Sequence, residues 1–492
     1  MSPLDDPALE AALRAGLAAL RKLADVRYAE LRFVDETSER LRVRDGRPEH
    51  VGTSGSRGVG VRVLGERTWG FACTADTSEA GVVAAALAAA RIARASGAVA
   101  ARAVAFPEAA AAVGAYATPV AIDPFAVPLE AKLAALDAPV RALRKGKVQT
   151  AEAWMDWTRV HKRLLTTEGT DTKQSFTYGA CGMHAFAVGD DGSSQRRSHP
   201  TWQGCDGFQA GYERVAELDL AAHADETRDE AIALLTAPPC PEGKRDLILE
   251  SSQVGLQIHE SCGHHTELDR ALGSEISLAG GSFMQPSLLG RLRYGSDAVT
   301  LVADATSEGG NGTFGWDDEG VAAGARPLVE RGTFVDYLSS RETAAALNRA
   351  STGTMRAESW NRSPLIRMVN VSLAPGIGTL DDIVADTKDG VLMATDKSWS
   401  IDDLRLNFQF SCEIAWEIKN GKRTRILRDP FYTGITPELW GSCDAIAGRD
   451  EWKLWGITSC GKGDPIQVMQ VGHGASPARF RGVSIGNTGS AR

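Results

Sequence analysis

Residues 235–265, LTAPPCPEGKRDLILESSQVGLQIHESCGHH, contain the clearest change of pattern in the chain and predict how it is divided. A helical pattern runs from about residue 217 to 235, and a helix cannot continue through the proline-rich PPCP that follows. The apolar run RDLILE then predicts a strand, and the amphipathic segment after it predicts a helix that leads into three histidines. We therefore expect one domain over residues 1–237 and a second over residues 238–492.

The two predicted domains differ in their secondary-structure patterns. In the first domain we predict helices over residues 7–24, 78–103 and 129–145, with strand-like alternation between them and a loop over the Ala/Pro-rich residues 104–128. The second domain is mostly strand-like, and its Asn420-Gly421 pair predicts a hairpin turn. The sequence therefore predicts an α+β fold, in which an N-terminal mixed α/β domain is followed by a β-rich C-terminal domain that carries the histidine-rich helix.

The overall charge limits the classes of partner. The 492 residues carry a formal net charge of -9 and give a pI of about 5.6. Such an acidic chain has no general affinity for nucleic acid or for an anionic membrane surface, so we expect neither as a partner.

The sequence also predicts a location. The N-terminus has no basic segment followed by an apolar one, as a secretory signal would have. The most apolar run, residues 80–106, is interrupted by Arg91, Arg94 and Arg102 and is too short between charges to span a bilayer. Eight cysteines in a chain of this length do not form a disulfide framework. We expect a cytoplasmic protein with reduced thiols, some of which could bind a metal.

The segment HESCGHH, residues 259–265, has the composition of a metal site but an unusual spacing. On a regular α-helix, histidines four residues apart lie about 40° apart and can share one ion, whereas His259 and His264 would lie about 140° apart. A shared ion requires that Gly263 end or widen the helix, through a positive φ or a π-bulge. Alternatively Cys262, three residues after His259, could be the second ligand.

Two other interpretations of this segment stay open. In one, Gly263 ends an ordinary helix and the histidines are solvated. In the other, Cys262 is a nucleophile paired with His264 or with His265, which lies three residues away on the same helical face. Three of the nine histidines fall within these seven residues beside Glu260, and this density favours metal binding.

The stretch HESCGHHTELDR resembles the HExxxH motif of the TldD/PmbA family of metallopeptidases, in which the five-residue step is the rule. Further stretches are similar to this family in the expected order, so that the resemblance covers essentially the whole chain. They are YAELRF (28–33), GVGVRVLGERTWGFA (58–72), GWDDEG (315–320), RAESWNRSPLIRMVNVSLAPG (356–376), FSCEIAWEIKNGK (410–422) and SCGKGD (459–464).

The resemblance implies a set of functional residues. One zinc ion per chain would be held by His259, His264 and Cys460, and Glu260 would be the general base in the hydrolysis of unfolded or extended peptides. It also implies a dimer, formed with a second copy or with a paralogous subunit. Cys412 and Cys443 are the competing candidates for the cysteine ligand. The glycines beside Cys460 predict a tight exposed loop, whereas Cys412 is predicted to pack within a strand.

Several points remain alternatives or expectations. The chain could instead be a cysteine-dependent hydrolase that uses Cys262, or a non-catalytic, metal-stabilised subunit that binds peptides. Treatment with a chelator distinguishes the first alternative from a metallopeptidase, because a cysteine hydrolase keeps its activity without a metal. Glu267 and Asp269 could each hydrogen-bond to a ligand imidazole, but we expect both to be solvated charges. The acidic turn Asp317-Asp318-Glu319 predicts a loop stabilised by Asx-type hydrogen bonds.

Overall fold

The structure is a computed structural model that describes residues 2–200, 205–278 and 280–489. Up to residue 234 the chain forms five α-helices and eight strands within this described part. They are α1 (Pro7–Arg21), β1 (Tyr28–Arg44), β2 (Arg47–Leu64), β3 (Trp69–Thr74), α2 (Glu79–Val99), β4 (Val113–Ala117), α3 (Leu129–Leu143), β5 (Val148–Thr166), β6 (Asp171–Val188), β7 (Ser194–His199), β8 (Asp206–Gln209), α4 (Glu213–Leu218) and α5 (Leu220–Leu234).

The remainder of the chain is dominated by strands. Its elements are β9 (Gly243–Leu249), α6 (Ser251–Ile258), a π-helical turn (His259–Gly263), α7 (Leu268–Ala271), β10 (Leu301–Asp304), β11 (Ala325–Glu330), β12 (Thr333–Phe334), α8 (Arg341–Ala345), β13 (Met355–Arg356), β14 (Leu365–Ile366), β15 (Asn370–Leu373), α9 (Leu380–Ala385), β16 (Asp389–Ile401), β17 (Asn407–Lys419), β18 (Lys422–Leu427), β19 (Pro430–Ile435), α10 (Thr436–Gly441), β20 (Cys443–Ile446), β21 (Lys453–Lys462), β22 (Gln467–Ala475) and β23 (Ala478–Asn487).

The N-terminal sheet has the strand order β3-β2-β1-β5-β6-β4, and β7 and β8 also pair with β6. Alternate residues of β1, among them Leu31, Phe33 and Leu41, are buried beneath helices, with α1 and α2 at one end of the long strands and α3 and α5 at the other. Glu30 and Arg32, at the intervening positions, face the other side of the sheet, where the C-terminal half packs. The sheet is therefore covered by helices on one face and by the second half of the chain on the other.

Two sheets of the C-terminal half enclose α6. One has the order β12-β11-β10-β15-β22-β21, and the other has the order β16-β9-β23-β19-β17-β18, with β20 added to β23 and a further pairing of β16 with β17. Helix α6 contacts β15, β21 and β22 of the first sheet and β9 and β16 of the second. All eight of its residues are buried. Polar side chains that follow this helix must therefore find their partners inside the protein.

The acidic turn joins the two halves of the chain. Asp317 accepts a hydrogen bond from the N–H of Glu319 at 2.9 Å, so the predicted Asx-type bonding is present. The other two carboxylates reach across to the N-terminal sheet: Asp318 pairs with Lys162 of β5 at 2.8 Å, and Glu319 pairs with Arg62 of β2 at 2.9 Å. The turn thus fixes the sheet against the half that carries the histidines.

The predicted α+β class is confirmed, with strands dominating. The predicted hairpin at Asn420-Gly421 joins β17 to β18. Two details were wrong. Residues 104–128 are not only a loop, because they contain β4, which pairs in parallel with β6. The helical pattern before the prolines forms two helices, which meet at Asp219 in a left-handed conformation with φ 37°. The domain boundary after residue 237 stays a prediction.

Helix α2 is, within the described residues, long and apolar enough to cross a membrane by length and composition alone. One face of it, including Val82, Ala86 and Ala89, is buried against α1 and the sheet. Core helices of globular proteins have the same composition, so this helix is weak evidence for a membrane span.

Candidate metal centre

Helix α6 continues past Ile258 as a π-helical turn over His259–Gly263. The N–H of His264 donates to the carbonyl of His259, five residues earlier, at 3.3 Å. A regular α-helix would use the carbonyl four residues earlier, so this turn holds one additional residue. As a result the rings of His259 and His264 lie on the same side, with centroids 4.9 Å apart. The predicted departure from regular helical geometry is confirmed.

Gly263 permits this turn through its lack of a side chain. A Cβ atom at this position would lie 2.0 Å from Sδ of Met368, which is fully buried. Two neighbouring side chains also hold the turn through Ser261. The Tyr294 hydroxyl donates to the carbonyl of Ser261 at 2.7 Å, and the Trp440 indole donates to the hydroxyl of Ser261 at 2.8 Å. The widened turn is therefore a packed feature of the core.

His259, His264 and Cys460 form a cluster in which one donor atom of each residue lies within 4.8 Å of the others, and all three are buried. Nε2 of His264 lies 3.5 Å from Sγ of Cys460. The expectation that Cys460 occupies an exposed loop was wrong, because it lies in β21 and is 2% exposed. The neighbouring glycines mark the end of that strand and the turn after it, where Gly463 has a φ of 86°.

The surroundings of Cys460 favour its thiolate. Burial raises the pKa of this thiol, but the charges of His264 and Arg367 outweigh burial, and the pKa falls below its usual value. The thiolate is the form of cysteine that binds metal ions.

His259 is oriented by a second histidine that sequence reasoning missed. Its Nδ1 lies 2.8 Å from Nε2 of His473, and Nδ1 of His473 lies 2.8 Å from the carbonyl oxygen of Val371. Because a carbonyl only accepts, His473 donates from Nδ1, and burial keeps the pKa of its ring well below the usual value. Its neutral Nε2 therefore accepts from Nδ1 of His259, which leaves Nε2 of His259 free to bind an ion.

His264 is oriented by a carboxylate. Its Nδ1 donates to Oε2 of Glu267 at 3.0 Å, which leaves Nε2 directed at Cys460. Glu267 also accepts from Arg270 at 2.8 Å, and Lys462 lies 3.3 Å away. Burial raises the pKa of Glu267, but Lys462, His264 and Arg270 together hold it well below its ordinary value. The carboxylate that fixes the His264 tautomer is therefore ionised.

The expectation that Glu267 and Asp269 are solvated was wrong. Glu267 is fully buried beside His264, and Asp269 pairs with the buried Lys462 at 2.7 Å. The turn at 264–267 places Glu267 beside His264, as the alternative interpretation allowed, and β21 brings Lys462 to both carboxylates from a distant part of the sequence.

The donor set of the cluster fits a transition-series ion such as zinc. Two imidazole Nε2 atoms and a thiolate are typical ligands of zinc, whereas magnesium and calcium prefer oxygen donors. Both imidazoles have their Nδ1–H groups occupied by acceptors, as metal-binding histidines generally do.

Glu260 and Arg405 line a cavity of about 270 Å³ together with the three donor residues. Glu260 is 7% exposed and forms a short ion pair with Arg405. Burial raises the pKa of the Glu260 carboxyl, but Arg405 and the two histidines outweigh burial and lower it. Glu260 is therefore held as a carboxylate at the edge of the cavity. Arg405 was not predicted as a site residue.

Cys262 and His265 lie outside the cluster. Cys262 packs in the hydrophobic core, where burial raises the pKa of its thiol far above the usual value. His265 is also fully buried, and its ring packs against Phe283 with centroids 4.5 Å apart. These positions argue against a Cys262 nucleophile. Cys412 packs within β17, as predicted, and Cys443 is buried on β20.

Comparison with known proteins agrees with this geometry. Residues 242–487 match the PmbA/TldA metallopeptidase C-terminal domain, and residues 29–93 match PmbA/TldA metallopeptidase domain 1. The chain is 29% identical over 466 residues to a protein named metalloprotease from Methanocaldococcus jannaschii, covering 94% of this chain and 98% of that one. It is 26% identical over 467 residues to the metalloprotease TldD homolog of Haemophilus influenzae, covering 94% of each.

Solved structures share the fold. A Thermotoga maritima protein described as a modulator of a DNA gyrase superposes with a TM-score of 0.75 at 15% identity, covering 97% of this chain and 99% of that one. TldE from Thermococcus kodakarensis superposes with a TM-score of 0.71 at 15% identity, covering 98% of this chain and 100% of that one. At such identities the likeness shows the fold alone.

The matched domain models and the named relatives place the chain in a family of metallopeptidases. More narrowly, the chain belongs to the TldD/PmbA family.

Proposed function

We propose that this protein is a zinc-dependent peptidase that hydrolyses unfolded or extended peptides. The observation that carries the proposal is the buried cluster of His259, His264 and Cys460, whose donor atoms lie within 4.8 Å of one another beside a cavity. In this proposal the ligands are Nε2 of both histidines and Sγ of the cysteine. Three protein ligands with an open fourth position are the arrangement of catalytic zinc, whereas structural zinc has four.

In this proposal Glu260 is the general base. A bound zinc ion would acidify a water molecule and polarise the scissile carbonyl. Glu260, held ionised by Arg405 in the same cavity, accepts the proton of that water and later gives it to the leaving amide nitrogen. Leu256, Ile401 and Ile457 supply apolar walls on which side chains of an extended peptide can pack.

The proposal includes an assembly. We propose that the chain forms a dimer, with a second copy or with a paralogous subunit of the family, and the fold it shares with TldE over nearly the whole chain supports this. A cytoplasmic location, and the absence of nucleic-acid and membrane partners, stay predictions from the sequence.

Hydrolysis of a library of fluorescence-quenched octapeptides tests the proposal. The purified chain should contain about one zinc per chain, lose activity with 1,10-phenanthroline and recover it when zinc is added back. Hydrolysis that persists after the metal is removed, and stops with iodoacetamide, would instead indicate the cysteine-dependent alternative. Full zinc content with no cleavage of any peptide would indicate a non-catalytic subunit.

A further inference from the structure

Arg405 is held in place by a loop whose backbone is strained. Its φ is 56°, in the left-handed region that residues with a side chain seldom adopt. Asp402 anchors the loop, because its carboxylate accepts the N–H groups of Leu406 at 2.7 Å and Asn407 at 3.1 Å. On the other side, the Thr436 hydroxyl donates to the carbonyl of Arg405 at 3.0 Å. The surrounding contacts therefore hold Arg405 in this conformation.

The guanidinium of Arg405 is buried at the candidate metal centre and only partly satisfied. Its side chain is 4% exposed, and it lines the same cavity as His259, His264 and Cys460. One terminal nitrogen pairs with Glu260, while Nε has no hydrogen-bond partner among the residues that the structure describes. Because Arg405 lines the cavity beside Glu260, its guanidinium is placed to donate to a ligand that enters there.

The position of Arg405 matches the movement of charge in amide hydrolysis. As the water oxygen bonds to the carbonyl carbon, its proton passes to Glu260 and the carbonyl π electrons move to the carbonyl oxygen. Negative charge thus leaves Glu260 and appears on the substrate oxygen in one step. Because Arg405 contacts Glu260, a water molecule that is hydrogen-bonded to Glu260 would lie at most about two hydrogen-bond lengths, of about 3 Å each, from its guanidinium.

We propose that Arg405 is a catalytic residue that donates hydrogen bonds to the oxyanion of the tetrahedral intermediate. In the resting enzyme it pairs with the ionised Glu260, and it follows the negative charge to the substrate when Glu260 becomes neutral. When the intermediate collapses, the C–N bond breaks, the proton moves from Glu260 to the amide nitrogen, and the ion pair forms again. This inference rests on the proposed peptidase function.

The test compares two variants. Arg405→Asn introduces a residue that tolerates a left-handed backbone, and Arg405→Lys keeps the positive charge but loses the paired N–H donors of the guanidinium. For the best-cleaved library peptide, Arg405→Asn should lower kcat by about 10²- to 10³-fold with little change in KM. The kcat of Arg405→Lys should lie between the values for Arg405→Asn and wild type. Arg331→Asn is the matched control, because Arg331 is also left-handed, with φ 44°, but lies in the hairpin between β11 and β12. It should leave kcat unchanged.

Two readouts do not depend on turnover. Zinc content should stay at the wild-type level in both Arg405 variants. A phosphinic analogue of the same peptide, which mimics the oxyanion, should bind Arg405→Asn about 10²-fold more weakly, whereas an uncleaved peptide should bind equally.

Several results would overturn the inference. They are loss of zinc from Arg405→Asn, unchanged affinity for the phosphinic analogue, or a rise in KM confined to peptides with a free rather than an amidated C-terminus. The last result would make Arg405 a binder of substrate carboxylates. If wild type with full zinc cleaves no peptide, the proposed function itself fails, and the inference fails with it. If wild type and Arg405→Asn cleave peptides at equal rates, the inference about Arg405 is overturned but the proposed function is not.

Discussion

Replacing His473 with alanine should weaken zinc binding although His473 is not one of the proposed ligands. Its Nε2 accepts the Nδ1–H of His259 at 2.8 Å, and it is the contact that fixes which nitrogen of His259 faces the cluster. Without it, the buried Nδ1–H has no acceptor and the imidazole can rotate or change tautomer. Loss of an outer hydrogen-bond partner typically lowers metal affinity by about 10- to 100-fold, which corresponds to about 1.4–2.7 kcal/mol.

The assay is competition for zinc against a chromophoric chelator, combined with urea unfolding of the metal-free protein. His265→Ala is the matched control, since His265 is equally buried but packs against Phe283. It should lower stability and leave zinc affinity unchanged. His473→Gln should restore part of the affinity, because an amide can both accept from His259 and donate to the carbonyl of Val371. Equal loss of zinc affinity in the His473→Ala and His265→Ala variants, or wild-type affinity in His473→Ala, would refute the reasoning.

Three further predictions concern the proposed ligands, the base and the widened turn. Cys460→Ser should sharply reduce the zinc content measured by elemental analysis, whereas Cys412→Ser should not; equal losses would contradict the assignment. Glu260→Gln should retain zinc and fold while kcat falls by about 10²–10⁴-fold, because an amide cannot accept the proton of water; loss of zinc in proportion to activity would make Glu260 a ligand instead. Gly263→Val should lower zinc occupancy without removing a ligand, since its Cβ would lie 2.0 Å from Sδ of Met368. Adding Met368→Ala should recover part of the occupancy, and no loss in the single variant would contradict the packing argument.

Features that depend on local chemistry could be predicted from the sequence. The hairpin turn at Asn420-Gly421 follows from residues that adopt left-handed conformations, and both have a positive φ. The widened turn could also be predicted, because helix geometry does not allow two histidines five residues apart to share an ion unless the helix changes. The role of the three proposed ligands came from family resemblance, and the structure places these residues together.

Features that depend on distant packing could not be predicted. His473 is 214 residues from His259, and Arg405 is 145 residues from Glu260. The flanking Gly472 and Gly474 of His473 are typical of a strand that another group approaches closely, and this was the available signal. Nothing local distinguishes Arg405. The burial of Cys460 was missed for the same reason, since pairing with β22 and contact with α6 decide it.

X-ray diffraction from crystals of the zinc-loaded chain, recorded on both sides of the zinc absorption edge, tests the central claim most directly. The account predicts one anomalous peak per chain, about 2.0–2.1 Å from Nε2 of His259 and of His264 and about 2.3 Å from Sγ of Cys460, with a fourth position open to the cavity. A peak at His265 or Cys262, a fourth protein ligand that closes the site, or no peak in crystals of active protein would contradict it.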